Sequence, residues 1–299
     1  MRALKRVKIN DILFFDIETS SVVKELELDT PLFNSWEYKK RRNDETDQEL
    51  IDMYRNEAAL YSEFGRIVCI SVGMLGAEGF KTTTFNNFDE GVMIKEFYAM
   101  LDKLKAGAII CGHAIKQFDI PYVAHRGMVH NLVPHDLMDV SGLKPWEVDW
   151  IIDTKEMWQG TSYNRASLLG IVTILNLPSP KGGITGKDVP AYFWADPEGH
   201  IQEISEYCER DVVATYDVVN YWKNLGQEQP VQKSLIEELF DGRSYGEEEE
   251  KMLKDHLRAM TKEDREKAYK ILGAMCSSAK GKKTAIQKKD ITAMKKELK

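Results

Sequence analysis

Five side chains stand out by type and spacing. Asp16 and Glu18 follow an apolar run, Ile12-Leu13-Phe14-Phe15, and sit two positions apart. Asp119 follows Gly112-His113-Ala114-Ile115-Lys116-Gln117-Phe118 and precedes Ile120-Pro121. Tyr207 and Asp211 lie four apart in Tyr207-Cys208-Glu209-Arg210-Asp211. Alternate side chains of a strand face the same way, so Asp16 and Glu18 project to one side. Residues four apart on a helix stack on one face, so Tyr207 and Asp211 are neighbours. Two carboxylates at the exit of a buried strand repel each other unless something cationic lies between them. A carboxylate at the margin of an apolar helix stripe is costly unless it is paired or metal-bound. Four acids of this kind suit the holding of two divalent cations against a phosphodiester.

Each signal also has a plainer reading. Asp16-Ile-Glu-Thr19 alone describes a strand end running into a capped turn. Asp119 alone serves as a helix N-cap, and Asp211 alone pairs with an Arg or Lys. The chemical reading rests on the combination and its order.

The positioning elements follow from periodicity. Residues 11–17 predict a central buried strand. Residues 22–64 are polar and charged, with helix around Glu45–Ala59, and predict an insertion beside that strand. Arg66–Leu75 and Phe80–Phe85 predict two strands joined by a turn at Gly76–Gly79. Met93, Phe97, Met100, Leu101 and Leu104 form the stripe of an amphipathic helix within Asp89–Lys105. Gly107–Cys111 predicts a strand, followed by a helix from near Asp119 with Pro121 in its first turn. Trp150–Ile152 predicts another strand, and helices follow at about 155–160 and 165–176. Pro178–Pro190 predicts a loop with Lys181 and Lys187, either a flap brushing phosphate or a bare connection. A long helix follows from about Ile201 to Trp222, its stripe being Ile201, Ile204, Cys208, Thr215 and Val218 or Val219. Strands and helices in this order predict a mixed α/β sheet.

Together the three acidic motifs resemble those of the DEDD superfamily of 3′–5′ exonucleases, in its tyrosine-bearing branch. The resemblance is closest to the exonuclease domains of family-B DNA polymerases and the stand-alone predicted exonucleases related to them. It covers roughly residues 10–225. Phe64–Gly73, Lys144–Val148, Asp153-Thr154 and Leu177–Lys181 match as well. It implies an RNase H-like fold, a five-stranded mixed sheet flanked by helices. It implies two Mg²⁺ ions, with Mn²⁺ able to substitute, about 3.5–4 Å apart. Asp16 would bridge both ions, Glu18 and Asp211 would bind the one that activates water, and Asp119 would act through bound water. Tyr207 would orient the attacking water, since an ordinary tyrosine pKa of about 10 makes it a poor base. Thr19, Phe118 and His113 are the candidates for touching substrate. Relatives usually carry asparagine where this chain has Ala114, which touches substrate placement but removes no metal ligand.

The implied activity is release of nucleoside 5′-monophosphates from single-stranded DNA 3′ ends, in proofreading or end processing. The alternatives are the same chemistry on RNA, or an inactive module that docks a polymerase. A DNA polymerase or another replication protein is the expected partner. His125, His130 and His135 are spaced five apart, off any shared helical face, and are expected to be solvated or capping. Asp153 is expected to cap a helix.

Composition bounds the rest. The 299 residues are 43% hydrophobic and 30% charged, ordinary for a globular protein. No run of about 18 apolar residues predicts a membrane span, and the start shows no signal-peptide pattern. Cys69, Cys111, Cys208 and Cys276 show no CxxC pairing, so they are expected to be core residues of a reduced, cytoplasmic protein. The net charge of −7 divides unevenly: residues from Lys251 onward carry +9 and the rest −16. That basic tail suits nucleic acid or is a solvated helical face. The expected division is an exonuclease domain at 1–227 and a linker with a basic helical segment at 228–299. Within the latter, helices are expected at 248–275 and 286–298.

Overall fold

The computed structural model describes residues 3–225 apart from 145–146, 163–165 and 181, together with 251, 253–254, 257–258, 265, 269, 272 and 288–297. The chain divides into two compact units, Met1–Lys223 and Asn224–Lys299.

The first unit is built on five strands: β1 (Ile12–Ser21), β2 (Gly65–Gly76), β3 (Gly79–Phe85), β4 (Ile109–Gly112) and β5 (Ile151–Asp153). Their order is β3-β2-β1-β4-β5, which makes β1 the central strand. β1 runs antiparallel to β2 and parallel to β4, while β2–β3 is antiparallel and β4–β5 parallel. The mixed sheet is that of an RNase H-like α/β fold. β1 continues four residues beyond the predicted strand, because Ser20 and Ser21 still find partners on β2 at Arg66 and Gly65.

The helices are α1 (Pro31–Lys40), α2 (Asp47–Glu57), α3 (Glu90–Leu101), α4 (Asp119–Val129), α5 (Thr154–Gln159), α6 (Leu168–Ile174), α7 (Val189–Ala195), α8 (Pro197–Lys223) and α9 (Lys288–Glu297). Alternation along β1 sends Leu13, Phe15 and Ile17 into one core with Met93, Phe97, Ile120 and Val123 of α3 and α4. Ile12 and Phe14 enter the opposite core with Val212, Val218, Val219 and Trp222 of α8. Burying side chains of this size contributes about 1.5–3 kcal/mol each. Both faces of β1 are therefore covered, and the carboxylates that follow on it inherit dry surroundings.

Two helices differ from the sequence expectation. α1 buries only Phe33 and Trp36, too few positions to mark a period, yet Thr30 caps it and Pro31 opens it. α7 begins in the last two residues of the expected loop and runs through a stretch for which no element was expected, held by Val189 and Phe193 packed on Ile204 and Cys208 of α8. The insertion has its own small core of Leu26, Phe33, Trp36, Leu50, Tyr54, Ala58 and Phe64. It is tied to the sheet at Ala59, whose carbonyl accepts from Thr19 Oγ1 at 2.9 Å and Tyr122 Oη at 3.1 Å.

In the second unit Leu253, Leu257, Tyr269, Leu272, Ile291 and Met294 are buried. Lys295 Nζ lies 4.8 Å from the centre of the Tyr269 ring. The expected linker at 227–246, most of the expected helix at 248–275 and Cys276 lie outside the described residues. Among the described residues no helix is long and apolar enough to cross a membrane.

Candidate active site

Asp16 and Glu18 lie on the α8 side of β1, beyond Phe14. β4 pairs with β1 only from Ile12 to Phe14, so the edge of β1 beside the acids has lost its strand partner. Asp119 takes that place. Its Oδ1 accepts the Ile17 N–H at 3.1 Å from the first turn of α4. The chain reaches α4 through Ala114, which adopts φ 68°. The amides of Ala114 and Lys116 donate to the Asp153 carboxylate at 3.0 and 3.2 Å. Asp153 also caps α5 through the amides of Lys155 and Glu156. One buried carboxylate thus fastens the connection that aims Asp119.

On its other edge β1 meets an irregularity in β2. The register passes from Glu18–Cys69 to Thr19–Ile67 and leaves Val68 unpaired. Such bulges bend a strand and re-aim neighbouring side chains. Beside it Ile67 N–H donates to Glu90 Oε1 at 2.6 Å. Glu90 is itself held by both Arg126 Nε and Nη2, at 2.9 and 2.6 Å, and by His130 Nε2 at 2.7 Å. His130 therefore sits half-buried beside the Glu90–Arg126 pair and ends α4 as its C-cap, the capping role expected of it. His125 Nδ1 lies 2.9 Å from Ser62 Oγ, and His135 Nδ1 accepts from Leu137 N–H. None of the three joins the acids.

α8 lies across the acids. Cys208 Sγ is 3.4 Å from the Asp16 carbonyl and 3.3 Å from Asp16 Oδ2. Ligand atoms of Asp16, Glu18 and Cys208 all lie within 4.8 Å of one another. Asp211 follows Cys208 on the same helix. Tyr207 Oη accepts from Gly186 N–H at 3.2 Å. Arg210 Nε and Nη2 donate to the carbonyls of Pro180 and Gly182 at 3.1 and 2.7 Å. The segment before α7 is thus tied to α8 at Tyr207 and at Arg210.

The electrostatics of the four acids are those of one group. Burial raises the pKa of Asp16, and the nearby Asp119 and Asp211 raise it further. Burial also raises Glu18, followed by the charge of Asp16. Burial brings Asp119 up to about 7 against the hydrogen bond from Ile17, and Asp211 up to about 6 despite help from Tyr207 and Arg210. Glu18 is only 8% exposed, and no hydrogen bond reaches its carboxylate among the described residues. A buried, unpartnered carboxylate surrounded by three more is a donor set for a cation. Hard oxygen donors in this number fit a divalent metal.

The other sequence candidates sit around this centre. Thr19 is buried and spends its hydroxyl on Ala59. Phe118 immediately precedes α4, its ring 5.2 Å from that of Tyr122. His113 Nδ1 is 3.0 Å from Thr154 Oγ1, and burial lowers its pKa. Burial also pushes the Tyr207 hydroxyl well above its ordinary pKa, with Asp211 adding to it. Sequence reasoning did not single out Arg210, which carries no periodic signal. It placed Cys208 in the core stripe, where it packs with Ile204 and Phe193, but did not foresee that its sulfur also touches Asp16.

Residues 59–269 match the family model described as a predicted 3′–5′ exonuclease related to the exonuclease domain of PolB. The chain belongs to this family. The matched span includes Asp119, Tyr207 and Asp211 and begins after β1. Asp16 and Glu18 join the exonuclease-family segment through the fold, since β1 is the strand on which the sheet is centred. A comparison with curated proteins found no match. Membership in this exonuclease family makes nuclease chemistry and a divalent metal the frame for the acidic site.

Proposed function

We propose that the chain is a metal-dependent 3′–5′ exonuclease that removes nucleoside 5′-monophosphates from single-stranded DNA. The observation that carries this reading is the meeting of Asp16, Glu18, Asp119 and Asp211, with Glu18 buried and unpartnered. Asp16 would bridge two cations, with Glu18 and Asp211 on the first and Asp119 acting from the opposite side through water. Two Mg²⁺ ions, or Mn²⁺ in their place, would supply an activated water and stabilise the departing 3′ oxygen. The chain's own share is placement. The Ile17 amide holds Asp119 in register with β1, and the long helix α8 carries Tyr207 and Asp211 as one rigid pair. Tyr207 keeps its proton near neutrality, so it orients water by hydrogen bonding and does not abstract a proton.

Phe118 offers a ring on which a terminal base can stack, and His113 is the second proposed substrate contact, whereas Thr19, buried and bonded to Ala59, is left to hold the strand end. The basic segment beyond Lys251 adds salt-sensitive contacts to phosphate. Proofreading beside a polymerase or trimming of DNA ends, in the cytoplasm, is the setting this activity suits. The test is digestion of matched single-stranded DNA and RNA, each labelled at its 5′ end, in Mg²⁺. Stepwise shortening of the DNA is expected. Shortening of the RNA alone would overturn the assignment of substrate.

A further inference from the structure

The acidic centre has one member that a hard cation does not use. Cys208 Sγ approaches Asp16 Oδ2 to 3.3 Å and shares a sphere of 4.8 Å with Asp16 and Glu18. Mg²⁺ takes oxygen ligands and strips its water reluctantly, so a thiol adds nothing to its binding. Thiolate sulfur selects softer cations, Zn²⁺ among them. Two carboxylates and one thiolate supply three protein ligands and leave a fourth tetrahedral position for water, the pattern of an open zinc site.

We propose that Asp16, Glu18 and Cys208 form a site for a thiophilic divalent cation of the Zn²⁺ class, which competes with the hard cation for the same two carboxylates. The proposal rests on the preceding reading only in assigning those carboxylates to a hard cation. Three observations carry it. The sulfur lies 3.3 Å from Asp16 Oδ2, so a cation can take the place of the thiol proton between them. Glu18 is more than nine-tenths buried and has no competing hydrogen bond among the described residues. Asp16 keeps some solvent exposure as a residue. On binding, the sulfur–metal bond forms as the thiol proton leaves to water, and no electron is transferred. Cys69, opposite Glu18 on β2 and within hydrogen-bonding reach of Cys208, lies outside the three-ligand set.

Cd²⁺ is the probe, since cadmium–thiolate bonding gives an ultraviolet charge-transfer band. Titration of the full chain with Cd²⁺ is expected to raise that band with one equivalent. The band should vanish in Cys208→Ser, weaken in Glu18→Gln and persist in Cys69→Ser. The apparent Cd²⁺ affinity of Cys208→Ser should fall by at least the ~10–100-fold that losing a supporting partner costs a metal site. Near-UV circular dichroism establishes that each variant is folded. Cadmium NMR of the wild-type chain reads sulfur ligation with no variant at all. An all-oxygen cadmium signal, or a band that survives in folded Cys208→Ser, overturns the proposal. Neither readout needs cleavage, so its failure is distinguishable from failure of the nuclease reading.

Discussion

Asp119 works both as a backbone cap for β1 and as a member of the acidic group, and the two roles leave a titration signature. Burial lifts its pKa from an ordinary carboxylate value near 4 to about 7. Between those values the folded chain keeps a proton that the unfolded chain has lost. Stability of the metal-free protein therefore falls as pH rises through this window. The Tm of EDTA-treated protein should drop from about pH 5 to about pH 8, and Asp119→Asn should flatten that drop. Added Mg²⁺ should raise Tm more at the higher pH, because the ionised acids bind it. A Tm that climbs with pH in EDTA contradicts this. Ala114 supplies a second residue-scale test. Its φ of 68° lies in the left-handed region, which costs a residue with a Cβ about 1–2 kcal/mol. Asparagine, usual in relatives at this place, tolerates that region better. Ala114→Gly should stabilise the fold by about 1 kcal/mol, a few degrees in thermal unfolding. The identities of the acids were legible in sequence because carboxylates on apolar faces are conspicuous. The strain at Ala114 was not, because a dihedral angle leaves no mark in composition.

At the scale of elements, the site depends on β4 ending early and on the tight turn that follows. A Cβ on Gly112 would lie 2.1 Å from Ile115 Cγ2 and 2.6 Å from the Phe15 carbonyl. Gly112→Ala must push the turn off β1, and with it Asp119. Overpacking of this kind costs about 1–3 kcal/mol. Chemical denaturation should show that loss together with weakened Mn²⁺ binding. An unchanged Mn²⁺ affinity would mean that the turn does not aim Asp119. The five strands and α3, α4 and α8 were readable from β-branched runs and apolar stripes. α1 and α7 were not, because their few buried residues gain their environment from packing on other segments. The bulge at Val68 was equally hidden, since it arises from pairing between β1 and β2 and not from either strand alone.

At the scale of the molecule, Asp16, Asp119 and Asp211 are brought together by a central strand, the helix after its parallel neighbour, and the long helix that crosses it. Their order along the chain pointed to this arrangement through a resemblance. The separations and the intrusion of Cys208 emerge only when α8 is laid on β1. Charge adds to the picture, since the acidic body makes a cluster of four carboxylates, Glu18 and Asp119 buried among them, dearer without cations. These four groups are proposed to share a pair of divalent ions. Calorimetric titration of the metal-free chain with Mn²⁺ near pH 8 tests this most directly. Two bound ions per chain are expected, and loss of both in folded Asp16→Asn, because Asp16 would serve each of them. Binding that is absent from the wild-type chain, or unchanged in Asp16→Asn, would contradict it.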